Sequence, residues 1–183
     1  MAQIIQIQPR KYQNSDSAKK VIEYMARLGE HSNRAADLKI WGTSAGHHYC
    51  KTPEQMIAEF DYIQHDIYHQ RGSLMVHYSF RITLAEFEKM NCDWYKFADF
   101  ATMCCRYIFD HGFQSCFAIH LQFHSDGSPD IHFHLAINTV GYNDSHKLCQ
   151  YPNSLYNTIQ KPLLDMFYTY INTCSFSDLN MLM

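Results

Sequence analysis

Residues 114–139 read QSCFAIHLQFHSDGSPDIHFHLAINT, two alternating stretches on either side of a turn-forming cluster. In the first, Phe117, Ile119, Leu121 and Phe123 are apolar, while Ala118, His120, Gln122 and His124 are small or polar. Successive strand residues point to opposite faces, so the two sets lie on different sides of a sheet. The second stretch repeats the parity, with Ile131, Phe133, Leu135 and Ile137 set against His132, His134, Ala136 and Asn138. The SDGSPD cluster between them predicts a hairpin, which makes the polar faces coincide. Residues 74–82 (LMVHYSFRI) fit the same scheme, His77, Ser79 and Arg81 alternating with Val76, Tyr78, Phe80 and Ile82. One sheet face is expected to be oily and the other rich in histidine.

Outward from this core, residues 3–8 (QIIQIQ) alternate as a strand, and Ser15 or Asp16 can cap a helix running through about Leu28 to a stop at Gly29. Residues 30–50 look irregular. Thr52-Pro53-Glu54-Gln55 has the form of a capping box with proline at the first helical position, predicting a helix from 53 to about 69 closed by Gly72. A second box, Thr83-Leu84-Ala85-Glu86, opens helical sequence to about 111, with Asn91 dividing it and Gly112 ending it. A last helix over 153–172 carries Pro162 as a kink. The order βα-αβα-ββα describes an α+β domain, a largely antiparallel sheet with helices packed mainly on one face.

The length, 183 residues with 46% hydrophobic content, suits a single domain spanning 1–183. No run reaches the roughly 18 apolar residues of a membrane span, and the start lacks a secretory signal, so a cytoplasmic protein without membrane insertion is expected. The seven cysteines form no CxxC pair and no disulfide framework. A net charge of −3 argues against nonspecific coating of duplex DNA, which depends on excess Lys and Arg, but leaves room for a local groove.

A metal ion needs ligands converging from one side, which two histidines two apart on a strand and a third from its neighbour supply. His132, His134 and His124 meet that demand. Twelve histidines in 183 residues produce about 0.7 His-x-His pairs by chance, so the pair alone is also compatible with hydrogen-bonded histidines on a half-exposed sheet.

The context is more specific. The segment HSDGSPDIHFHLAIN, residues 124–138, resembles the HxD…HxHxxxN motif of plasmid mobilisation relaxases, a branch of the HUH endonucleases. The flanks AIHLQFHSD and HLAINTVGYNDSHKL continue the likeness, and it extends more diffusely over 16–30 and 74–172. The resemblance implies a five-stranded HUH-type sheet with a divalent cation, Mn2+ or Mg2+, on its polar face. It implies a relaxase, an enzyme that nicks and recloses one strand of single-stranded or locally melted DNA at a transfer origin to start conjugative mobilisation, with accessory relaxosome proteins and a coupling protein as partners.

Such enzymes carry their nucleophilic tyrosine on a helix after the first strand, and in KKVIEYMARLGEHSNR that position matches Tyr24. It sits at the edge of the apolar stripe Ala18, Val21, Ile22, Met25 and Leu28, where a ring packs while its hydroxyl reaches outward. The plainer reading is one boundary tyrosine among thirteen. A phenol is a weak nucleophile that needs a nearby base or cation, and its attack on a phosphate would yield a 5′-phosphotyrosine and a free 3′-hydroxyl.

Asp126 or Asp130 could orient a ligand histidine, and both could equally be turn residues; Asn138 ends the motif. Arg27, Arg34, Arg81 and Lys147 are candidate phosphate contacts. Tyr62, His65, Tyr68 and His69 share a predicted helix but lack an HExxH pattern and read as surface. His47 and His48 fall in an irregular stretch.

Two other readings stand beside this one. Replication initiators and transposases of the same superfamily place the tyrosine after the histidine motif, and Tyr156 with Lys161 lies on such a helix, although at Y-x4-K rather than the expected Y-x3-K or Y-x2-K. A non-cutting, metal-binding relaxase-like protein is the other, and the acidic charge favours it.

Overall fold

The computed structural model describes residues 1–7, 12–43, 51–65, 73–143 and 146–177. Its elements are β1 (Gln3–Gln6), α1 (Ser17–Ala26), a 3-10 segment (Gly29–Asp37), β2 (Leu38–Thr43), α2 (Pro53–Gln64), β3 (Met75–Ile82), α3 (Leu84–Glu88), α4 (Trp94–Asp110), β4 (Phe113–Phe123), β5 (Pro129–Gly141), α5 (Pro152–Leu155), a π segment (Tyr156–Gln160) and α6 (Lys161–Ser177). The strands form one five-stranded sheet in the order β1-β3-β5-β4-β2, every neighbouring pair antiparallel. The α+β architecture expected from the sequence is therefore present.

The hairpin of β4 and β5 sets the sheet's centre. His120 lies opposite His132, and Ala118 opposite His134, so the polar positions of both strands share one face. On β3, Ser79 faces His134 and Arg81 faces His132. The oily face carries Tyr78, Phe80, Phe117, Ile119, Phe133 and Leu135, which form one buried cluster with residues of α3, α4, α5 and α6. Phe133 is at its middle, stacked on Phe80 at 5.0 Å and meeting Phe97 and Phe100 edge-on. A second cluster joins Ala18, Val21, Ile22 and Met25 of α1 and Met56 and Phe60 of α2 to Met75, Cys116, Ala118 and Ala136 of the sheet. Small residues on this face let α1 approach the histidines.

Local chemistry sets the helix ends. Thr52 and Thr83 each accept from a backbone N–H three residues on, and Gln55 and Glu86 return the bond, so both capping boxes form. Asn91 and Cys92 adopt positive φ, 59° and 54°, and separate α3 from α4. Before Pro162 the last helix widens into the π segment: the proline has no N–H, and its ring crowds the carbonyl one turn back. The expected end of α2 near residue 69, with Gly72, His69 and Tyr68, lies outside the described residues, as do His47 and His48.

Strand β2 occupies a stretch whose sequence reads as irregular. LKIWGT does not alternate cleanly, and its pairing with β4 shifts register between Leu38 and Ile40. Gly42 is required there, because a Cβ would stand 2.4 Å from the Phe117 ring. The residues themselves identify four strands; the fifth was implied only by the resemblance. Cys104, Cys105 and Cys116 are buried and form no disulfide, whereas Cys92 and Cys149 are exposed.

Candidate metal and nucleophile site

Three buried histidines converge on the polar face. His120, His132 and His134 each offer a nitrogen, and these atoms lie within 4.8 Å of one another. His124, the third ligand expected from the sequence, is not among them: it is exposed at the hairpin turn, where its N–H donates to the Ser128 carbonyl. The pairing register explains the correction. His120 is level with His132, and His124 is four residues further along β4, which at about 3.3 Å per residue puts it roughly 13 Å away.

The hydrogen bonds assign the ring nitrogens. His132 Nδ1 is 3.3 Å from both the carbonyl and the carboxylate of Asp130. Both partners only accept, so Nδ1 carries the proton and Nε2 keeps its lone pair. His134 Nδ1 is 2.9 Å from His77 Nε2, and His77 Nδ1 is 3.2 Å from the Tyr12 hydroxyl. His134 Nε2 is buried and has no hydrogen-bond partner among the described residues. His120 Nε2 donates to the Met25 carbonyl at 2.7 Å, and its Nδ1 accepts from Arg27 at 3.0 Å.

Burial keeps these rings neutral. His77 is pushed down to about 3 by desolvation. His120 is also pushed to about 3, by desolvation first and the Arg27 charge second. His134 falls well below the usual imidazole value through burial and then its neighbours His77, His120 and His132. His132 is lowered by burial, against the opposing pull of Asp130. Neutral imidazoles are the form that ligates metal. The donor set and the partnerless Nε2 of His134 fit a divalent cation held by His120, His132 and His134.

Tyr24, at the end of α1, stands over this cluster. Its ring meets His134 edge-on at 5.4 Å, His31 at 5.3 Å and His77 at 6.2 Å. The next turn places Arg27 in the left-handed region, φ 57°, which folds its guanidinium back under the tyrosine, 4.8 Å from the ring centroid. Arg27 is only 2% exposed. A cavity of about 430 Å³ opens beside Tyr24, lined also by Tyr12, Asn14, Asp16, Lys20 and His77.

The remaining candidates separate. Asp126 is an exposed turn residue whose carboxylate accepts from the N–H and hydroxyl of Ser128. Asp130 takes the orienting role at His132 and pairs with Arg81 at 3.5 Å. Asn138 is buried further along β5, where it accepts from Gln64 and donates to Gln114, tying α2 to the sheet. Arg34 is half exposed and bonded to Asp37 at 2.9 Å. Lys147 forms a bridge with Val140, six residues beyond His134. Tyr62 is 81% exposed. The site also includes His120, His77 and Tyr12; His120 and His77 share the parity of the motif histidines, whereas nothing in the sequence around Tyr12 marks it.

Comparison of the chain with protein-family models, curated proteins and solved structures finds no match in any of the three. Among the described residues, no helix is long and apolar enough to cross a membrane.

Proposed function

We propose that the chain is a metal-dependent, strand-specific DNA nicking enzyme of the relaxase type, with Tyr24 as nucleophile and His120, His132 and His134 as ligands. The observation that carries the reading is Tyr24 edge-on to His134 above a cluster of three neutral histidines. A bound cation, Mn2+ or Mg2+, would supply Lewis-acid polarisation of the scissile phosphate. The Tyr24 hydroxyl would lose its proton and its oxygen form the new bond to phosphorus as the bond to the 3′ oxygen breaks, and one proton would be returned to that oxygen, leaving a 5′-phosphotyrosine and a 3′-hydroxyl. Asp130 holds the His132 ring, and His77 holds that of His134. Single-stranded or locally melted DNA of a transfer origin would enter by the cavity beside Tyr24, with relaxosome and coupling proteins as further partners.

Tyr156 supports the initiator reading less well. It is on the last helix, whose Leu155, Ile159 and Leu163 pack with the oily face, opposite the histidines. The non-cutting, metal-binding reading keeps the same ligands.

The test is incubation of wild type and Tyr24→Phe with manganese and labelled single-stranded oligonucleotides spanning transfer origins, resolved on a denaturing gel. A protein-linked band present in wild type and absent in the variant is expected. A band in both moves the nucleophile elsewhere, and no band with a validated origin favours the non-cutting reading.

A further inference from the structure

His120 is the one ligand with no lone pair to spare. Its Nε2–H is committed to the Met25 carbonyl at 2.7 Å, so Nδ1 is the only nitrogen that can face a cation, and Arg27 Nη2 already donates to it at 3.0 Å. A ring nitrogen has a single in-plane lone pair, which cannot serve a guanidinium and a metal together. The guanidinium charge would also oppose a dication at that distance.

A second place for the guanidinium is at hand. The same Nη2 is 3.7 Å from Asp37 Oδ2, at the end of the 3-10 segment. That carboxylate also accepts from Arg34 at 2.9 Å and from Gln122 at 3.1 Å, so it is a fixed acceptor. Arg27 is not fully bound where it stands: its Nε is buried without a hydrogen-bond partner among the described residues.

We propose that Arg27 is an internal competitor for the metal site, occupying Nδ1 of His120 until a cation displaces it toward Asp37. This rests on the metal reading above and adds to it a residue that sets the site's affinity. The guanidinium also lies under the Tyr24 ring and bonds its carbonyl at 3.3 Å, so metal loading and the setting of the tyrosine would change together.

Calorimetric titration of the full chain with manganese chloride alone tests it, on wild type, Arg27→Met, Asp37→Asn and His134→Ala. Arg27→Met is expected to bind manganese at least tenfold more tightly than wild type, Asp37→Asn more weakly, and His134→Ala not measurably. Should Arg27→Met fail to fold by circular dichroism, Arg27→Gln removes the same charge while keeping a polar group, and the same tightening is expected. Equal or weaker binding by the folded neutral variant, with wild type binding normally, overturns the competition and leaves the metal site standing. Unchanged affinity in Asp37→Asn overturns Asp37 as the receiving acceptor. No binding by wild type or either neutral variant overturns the metal reading itself, and the competition with it.

Discussion

Nε2 of His77 and Nδ1 of His134 face each other at 2.9 Å across neighbouring strands, and only one of them can hold the proton between them. A cation on Nε2 of His134 requires that ring to be protonated on Nδ1. His134 then donates to His77, and His77 donates from its own Nδ1 to the Tyr12 oxygen. Metal binding would thus set the direction of the whole chain of bonds.

His77→Ala removes the acceptor behind a ligand, and losses of this kind weaken metal binding by about 10–100-fold. Manganese titration of the folded variant should show a fall in that range. An unchanged affinity would mean that the pair is structural only.

His120→Ala and His124→Ala distinguish the ligand set seen in the fold from the one expected from the motif. Manganese affinity should drop sharply in the first and stay at the wild-type level in the second, where an exposed turn residue is lost. The opposite pattern would place the cation near the hairpin turn.

Acid should destabilise the metal-free protein. His77 and His120 are both held near 3 in the fold, against about 6.5 in an unfolded chain. Below 6.5 the unfolded state takes up protons that the native state refuses, so stability is fully present above that pH. It is lost as pH falls toward 3, at most about 1.4 kcal/mol per pH unit for each ring. Urea unfolding in a chelator at pH 7.5, 6.5 and 5.5 should show a progressive loss in the lower interval, on the order of 1–3 kcal/mol. A constant stability between 7.5 and 5.5 contradicts buried neutral rings.

Gly42→Ala tests the edge strand. The added methyl group would lie 2.4 Å and 2.5 Å from two carbons of the buried Phe117 ring. Overpacking of this kind costs about 1–3 kcal/mol, readable as a lower urea midpoint with an unchanged slope. No loss would mean that β2 sits further from β4.

The sequence by itself determined the two faces of the sheet, because period-two alternation at 117–124 and 131–138 forces every second side chain to the same side. It determined the hairpin through SDGSPD and the two capping boxes through Thr52 and Thr83, since these are short-range devices whose partners lie within a few residues. It pointed to His132 and His134 by their spacing and to Tyr24 by resemblance, and the fold brings these three together. Only the tertiary structure decided the third histidine. His120 and His124 have the same parity, and nothing local separates them; the pairing of Ala118 with His134 puts His120 level with the pair and leaves His124 at the turn. The same is true of His77, Tyr12 and Arg27, which reach the site from a neighbouring strand, a loop and a helix end, and of β2, whose Gly42 makes sense only against Phe117. Contacts between residues about 60 to 95 positions apart depend on register and helix placement, which the packing of the whole chain sets.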